Sequence, residues 1–213
     1  MGRRARIAAA AALMIAATLP ATPVAAGPHP AAPACEIFPA NNVWHADVSS
    51  LPVHARSADW LASMGGSGRR LHPDFGPSGL SQPYGIPYNV VAGSHAKVSV
   101  NFSYPDESDP GPYPLGDDTT IEMGSDRHAL MLDRDACVLY ETFDTWKDAG
   151  GWNAGSGAVW DLRSNDLRPA GWTSADAAGL PIFPGLIRRD EIAAGVIDHA
   201  IRMTASPTDR SYV

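Results

Sequence analysis

Apolar and polar residues alternate along several short stretches of this chain, a pattern that indicates β-strands with one buried face. The clearest stretch is residues 97–104, where alternation places Val98, Val100, Phe102 and Tyr104 on one side. We expect that side to face the core. The chain also holds 20 glycines and 19 prolines, which are spread along its length, break the backbone into short segments and favour strands over long helices.

The short segments and the recurring alternation predict an all-β fold, an antiparallel β-sandwich of jelly-roll type with a few short helices. A closed β-barrel is the alternative architecture. Two short helices are expected, over residues 57–65 and 190–195, ended by Gly65 and Gly195. Residues 173–176 resemble the capping box that opens a helix, with aspartate in place of the usual glutamate or glutamine.

Residues 126–143 form two strand-like runs joined by a polar turn, which predicts a β-hairpin. If Arg134 and Asp135 form the turn, strand periodicity puts His128 directly opposite Glu141. The shared face is then apolar near the turn and ionisable at its far end. The pairs expected on this face are Leu132 with Cys137, Leu130 with Leu139, and His128 with Glu141, while Asp126 approaches Phe143.

A second histidine is expected on the apolar face of a last strand, residues 196–204, where His199 shares one side with Ile197, Ile201 and Met203. Two inward histidines near a glutamate suit acid-base catalysis, and an added aspartate would suit a divalent metal. The alternative is that each histidine is a core residue, bonded to backbone carbonyls or to Glu141. The candidate catalytic residues are His128, Glu141, His199, Asp126 and Asp161.

Six tryptophans form a large aromatic set for a chain of this length, and several lie in stretches rich in glycine. Residues 150–157 indicate a glycine-rich loop, and an aromatic ring on a flexible loop is difficult to bury. Trp152, Trp160 and Trp146 are therefore candidates for stacking on sugar rings, with a structural role as the alternative. The glycine run lacks the lysine of a phosphate-binding loop, which argues against nucleotides.

The first 26 residues have the layout of a secretory signal peptide: a basic start, an apolar run and small residues before the expected cleavage point. The apolar run, about 13 residues, is too short to span a membrane. Residues 27–34 are expected to be a disordered lead-in, and residues 35–213 a single β-rich domain. We expect the mature protein to be secreted and monomeric.

Composition narrows the possible partners. The formal net charge is −7 and the basic residues are scattered, so nucleic acid is not expected as a partner. The chain has two cysteines, Cys35 and Cys137, and a disulfide between them is expected in an oxidising compartment. No cofactor is predicted, although the histidines and carboxylates leave a divalent metal as an alternative.

Five strings of this chain together resemble a family of secreted, largely uncharacterised actinobacterial proteins. They are IFPANNVW at residues 37–44, LHPDFG at 71–76, DRH at 126–128, LYE at 139–141 and RPAGWTSADAAGLP at 168–181. The resemblance implies a secreted, single-domain, β-rich protein and brings no established activity with it. It also implies that this chain ends before its relatives do.

These patterns favour a secreted carbohydrate-active enzyme that cleaves an extracellular or cell-wall polysaccharide, by hydrolysis or elimination. In that hypothesis His128 or His199 accepts the proton, and Glu141 orients the histidine or serves as the acid. If two carboxylates hydrolyse the glycosidic bond, Glu141 and Asp161 are the expected pair. The alternatives are a non-catalytic glycan or cell-surface binding protein and a metal-dependent hydrolase.

Overall fold

The computed structural model describes residues 28–70 and 85–205, so the expected signal peptide lies outside the described residues. The regular secondary structure of the described residues is mostly strand, with few and short helices. Its strands are β1 (Tyr88–Val91), β2 (Val100–Phe102), β3 (Ala129–Asp133), β4 (Val138–Phe143), β5 (Trp146–Asp148), β6 (Gly151–Ala154) and β7 (Ser156–Asp161). Its helices are α1 (Ser57–Ser63), α2 (Arg189–Ala194) and the 3-10 turns Val43–His45, Gly66–Gly68, Pro105–Glu107 and Phe183–Gly185.

The strands form two open sheets. The first sheet has the order β1-β3-β4-β7, and the second has the order β2-β6-β5. Because β1 does not pair with β7, the described strands close no barrel. The prediction of a purely antiparallel fold is wrong, since β1 pairs with β3 and β2 with β6 in parallel. In each case the intervening chain passes through the other sheet and returns in the same direction, as a parallel pair requires.

The first sheet is covered on both faces. One face packs on the second sheet through a cluster that joins Ala129, Met131 and Tyr140 to Val100 and Trp152. The other face packs on the N-terminal segment and on residues near Phe183–Gly185. This second cluster includes Leu130, Leu132, Leu139, Trp160, Leu162, Cys35, Phe38, Ile182 and Phe183. The lead-in contributes to this second cluster, because Ala32 is fully buried in it.

The hairpin of β3 and β4 forms as predicted, but its register differs by two residues. Leu130 pairs with Glu141 and Leu132 with Leu139, so the turn holds four residues rather than two. The Asp133 carboxylate accepts hydrogen bonds from the backbone amides of Asp135 and Ala136 and thereby closes this longer turn. A shift by two keeps the same side chains on each face, so the predicted face is retained although its pairs are not.

The disulfide between Cys35 and Cys137 is present as predicted. It joins the N-terminal segment to the turn of the hairpin, across a sequence separation of 102 residues. Cys137 has a φ of 54°, in the left-handed region that non-glycine residues seldom adopt. The bond fixes the N-terminal segment against the second face of the first sheet.

Both predicted helices are confirmed, as α1 and α2, and each is followed by a glycine in the left-handed region, Gly65 and Gly195. The expected helix start at residues 173–176 is wrong, because those residues form irregular chain and bends. No helix in residues 28–70 and 85–205 is long and apolar enough to cross a membrane.

The predicted last strand is also wrong. Residues 196–204 have no strand structure, because the amides of Ala200 and Arg202 bond to two separate segments, at the carbonyls of Trp44 and Gly185. Ile197 and Ile201, predicted to be in the core, are 39% and 52% exposed.

Candidate functional site

His128 lies just before β3 and is held on both ring nitrogens. Its Nδ1 is 2.5 Å from Oε2 of Glu122, and its Nε2 is 3.1 Å from the carbonyl oxygen of Ala175. Both partners accept hydrogen bonds, so the ring fills both contacts only when both nitrogens carry a proton. His128 therefore bridges two loops from a buried position.

Glu122 was not among the predicted residues, yet it is the direct partner of His128. Burial by itself would raise the pKa of the Glu122 carboxyl, but the hydrogen bonds and the charge of His128 bring the pKa below its ordinary value. The backbone also joins the two residues, since the Glu122 amide donates to the His128 carbonyl at 2.9 Å.

Glu141 lies in the middle of β4 and is fully buried. Its carboxylate accepts the amide of Ile182 at 2.9 to 3.0 Å and that of Phe183 at 2.8 Å. Burial raises the pKa of Glu141 to about 7, and these two amides and the nearby charge of His128 limit the rise. The glutamate thus fixes the start of the Phe183–Gly185 turn against the first sheet.

Glu141 and His128 are diagonal neighbours on one face rather than the direct partners predicted. Glu141 pairs with Leu130, and the ring that contacts His128 is that of Phe143, at 5.9 Å between centroids. The prediction of a hydrogen-bonded His128–Glu141 pair is therefore wrong. We name Glu122, His128 and Glu141 the buried centre.

His199 does not reach the buried centre. Its Nε2 lies 2.9 Å from Oε1 of Glu191, in α2, and its Nδ1 lies 2.8 Å from the carbonyl oxygen of Ala200. The same Glu191 oxygen is 2.5 Å from Nη2 of Arg188, so His199 belongs to a separate charged cluster.

The two predicted aspartates lie at the surface. Asp126 accepts a hydrogen bond from the Ser125 hydroxyl, and Asp161 accepts the Arg163 amide at the end of β7. Glu141 pairs with Ala158, three residues before Asp161, so the two carboxylates of the alternative glycosidase pair project to opposite faces of the first sheet.

The glycine-rich loop predicted at residues 150–157 is wrong, since this segment forms β6 and the start of β7. Glycine is needed there for close packing: a Cβ on Gly157 would lie 2.5 Å from the Tyr113 hydroxyl. Trp152 and Trp160, only 8% and 5% exposed, belong to the two core clusters. The remaining sugar-stacking candidate, Trp146, is half-buried on β5.

Trp146 shares the outward face of the second sheet with two asparagines that sequence reasoning missed. The register aligns Asn101, Asn153 and Trp146 across β2, β6 and β5, and we name these three residues the outer row. Nδ2 of Asn101 donates to Oδ1 of Asn153 at 3.3 Å. The alternation of residues 97–104 already placed Asn101 on the polar face. Asn153 was missed because residues 150–157 were predicted to be a loop, in which no sheet face can be assigned.

Charged side chains border the outer row. The Arg127 guanidinium lies over the Trp146 ring, 5.6 Å from its centroid, and is paired with the Asp144 carboxylate. At the other end, Asp148 pairs with Gly151, where a Cβ would meet no atom within 4 Å. The outward face of the second sheet therefore combines an indole, two amides, a guanidinium and carboxylates beside open space.

Among residues 28–70 and 85–205, no group of three or more histidine, cysteine, aspartate or glutamate side chains could hold a metal ion. A cavity of about 160 Å³ lies beside β1, lined in part by Asn89, His95 and Asp118, and none of the predicted site residues lines it. No family model, curated protein or solved structure matches this chain. The resemblance to secreted actinobacterial proteins stays a prediction.

Proposed function

We propose that this protein is a secreted glycan-binding protein and that the outer row is the centre of its binding surface. The single observation that carries the proposal is the alignment of Asn101, Asn153 and Trp146 on one exposed sheet face. The signal-peptide pattern and the disulfide support secretion.

The chemistry of the outer row suits sugar rings. An indole offers an apolar plane for the C–H face of a pyranose, and Trp146 is partly exposed on the edge strand β5. Carboxamides both donate and accept hydrogen bonds, which matches hydroxyl groups that do the same. The Arg127–Asp144 pair supplies one charged donor and one charged acceptor at the border.

The sheet also gives the row a fixed geometry. Asn153 is held on both sides, by Asn101 through its Oδ1 and by the Gly151 carbonyl through its Nδ2 at 3.1 Å. A polar group that is held before the ligand arrives loses little freedom on binding, which favours affinity.

We also propose that the fold is a β-sandwich of jelly-roll type. The core cluster that the two sheets share supports the sandwich.

Polysaccharide cleavage by the predicted catalytic residues is the second candidate. The observation that favours it is Glu141, because its pKa of about 7 is that of a group able to give and take protons near neutrality. For catalysis, a substrate would have to replace the amides of Ile182 and Phe183 on that carboxylate.

One experiment separates the two candidates. The purified mature protein is tested against plant, fungal and bacterial polysaccharides, and retention, new reducing ends and unsaturated products are read together. We expect retention without product, and a loss of roughly tenfold in affinity in Trp146→Ala. Trp60→Ala, which removes another half-buried tryptophan from α1, is the matched control. Equal retention by Trp146→Ala and the parent would refute the proposed surface.

A further inference from the structure

We propose that residues 196–205 form a strap that the doubly protonated ring of His199 latches onto Glu191, and that loss of one ring proton releases the strap. The strap follows α2 and runs past the turns Val43–His45 and Phe183–Gly185. The proposal concerns a pH-dependent device and is independent of glycan binding.

The strap is fastened by polar contacts rather than by buried apolar side chains. Its amides at Ala200 and Arg202 donate to Trp44 and Gly185 at 2.7 and 2.9 Å. Nε of Arg202 lies 2.6 Å from Oδ2 of Asp176. The apolar side chains of the strap point outward, with exposures of 39% for Ile197, 52% for Ile201 and 60% for Met203. Few contacts would therefore have to break for the strap to open.

His199 is the buried fastening of the strap, with a side chain only 3% exposed. Its two ring nitrogens face two acceptors, the Glu191 carboxylate and the Ala200 carbonyl. Only the imidazolium has a proton on each nitrogen, so the neutral ring must give up one of these hydrogen bonds. The closed strap therefore keeps both hydrogen bonds only while the ring is charged.

The surroundings of the ring agree with that requirement. The hydrogen bond with Glu191 is the largest influence and raises the pKa of His199, burial lowers it, and the Ala200 carbonyl and the charge of Glu191 raise it further. The Arg188 guanidinium acts in the opposite direction. Asp190 contributes a carboxylate 3.7 Å from Nε of Arg188, and Asp198 precedes the histidine in the strap.

The closed strap also contains polar atoms that opening would hydrate. Among the described residues, both carboxylate oxygens of Asp198 are buried without a hydrogen-bond partner. Buried polar atoms without partners are costly, and water would satisfy them in the open state. The closed state thus stores an unfavourable contribution that the His199 latch offsets.

The sign of the pH dependence follows from this balance. In the open strap the histidine titrates near its ordinary value, about 6.5, and in the closed strap its pKa is higher. The latch is therefore at full strength below about pH 6.5 and is lost as the pH rises through the raised pKa of the closed state.

Amide hydrogen exchange measures the latch directly, because Ala200 and Arg202 exchange only when their bonds to Trp44 and Gly185 open. Protection factors are measured by NMR from pH 5.5 to 9 and corrected for the intrinsic pH dependence of exchange. We expect protection at both amides to fall with rising pH, by roughly tenfold for each unit by which the closed-state pKa exceeds 6.5. The Val98 amide, bonded to Tyr113, should show no such fall.

His199→Gln tests the role of the ring, since glutamine keeps a donor but does not titrate in this range. Protection at Ala200 and Arg202 should be low at every pH in this variant. His95→Gln alters a histidine bonded to Ala96 and Asp118, outside the contacts of the strap, and should keep the fall. A protection factor that does not depend on pH in the parent, or an unchanged fall in His199→Gln, overturns the proposal. A measured pKa of 6.5 or lower for the His199 ring in the parent also overturns the proposal. That measurement does not depend on the folding of any variant.

Discussion

The buried centre and the outer row contain similar polar groups, but the protein uses them differently. In the buried centre, both ring nitrogens of His128 and both carboxylate oxygens of Glu141 are bonded to the protein's own atoms. In the outer row, Asn101 is exposed and Trp146 is partly exposed.

This difference distinguishes a stabilising function from a binding function. A buried ionisable group is costly unless it is paired, and the partners in the buried centre are backbone groups and a carboxylate of loops that pack on the first sheet. Glu141 holds the Phe183–Gly185 turn, and His128 holds the loop at Ala175. Changes in the buried centre should therefore lower stability, and changes in the outer row should lower affinity.

Removal of the disulfide should have the largest effect on stability. Cys35→Ser with Cys137→Ser frees a loop with a sequence separation of 102 residues, so we expect the free energy of unfolding to fall by about 4 kcal/mol. Urea unfolding measures the loss. The folded fraction should bind glycan as the parent does, because the disulfide lies on the face of the first sheet away from the second sheet. Weaker binding by the folded fraction would show that the two regions are coupled.

Glu141→Ala should have the next largest effect. It leaves the buried amides of Ile182 and Phe183 without an acceptor, so we expect a loss of about 3 kcal/mol in unfolding free energy. Asp161→Ala removes an exposed carboxylate from β7 and should change stability by less than about 0.5 kcal/mol. If Glu141→Ala were as stable as Asp161→Ala, the buried centre would not have the stabilising role that we assign to it.

The pH dependence of stability should also depend on Glu141. Its pKa is raised to about 7 in the folded protein and is about 4.3 in the unfolded chain. The contribution of this group is therefore complete below about pH 4.3 and is lost as the pH rises toward 7. Glu141→Gln, which does not titrate, should have a flatter profile of unfolding free energy between pH 4.5 and pH 7, by about 1 kcal/mol or more. Parallel profiles for the two proteins would contradict the raised pKa.

Strand alternation predicted much of the buried region. Val98, Val100 and Phe102 lie in the core as expected, and the predicted face of the hairpin survived its change of register. Tyr104 is 60% exposed because β2 ends at Phe102 and the Pro105–Glu107 turn follows. Period-two reasoning tolerates a shift of two residues, which explains why the faces were right although the cross-strand pairs were wrong.

Long-range partners were not predictable in the same way. Glu122 meets His128 because the loop before β3 turns back on itself, and a polar loop residue gives no periodic signal of this kind. His199 alternates with Ile197 and Ile201 as a strand would, but it lies in a segment whose amides find two unrelated acceptors. Alternation shows that a segment is suited to a sheet and does not show that a sheet edge is free to receive it.

The smallest effect expected, and the one that bears directly on the outer row, is the coupling between its members. Trp146 and Asn153 are opposite each other on β5 and β6, so a bound sugar ring would contact both. We expect Trp146→Ala and Asn153→Ala to weaken retention of a glycan ligand separately, and the double variant to lose less than the sum, by about 0.5 to 1 kcal/mol. Affinity electrophoresis on a polysaccharide that the parent binds measures the parent, the two single variants and the double variant.

Asn89→Ala combined with Trp146→Ala is the control. Asn89 lies on β1 in the other sheet, so the effects of these two changes should add independently. Strict additivity of Trp146→Ala and Asn153→Ala would contradict a single ligand that contacts both residues.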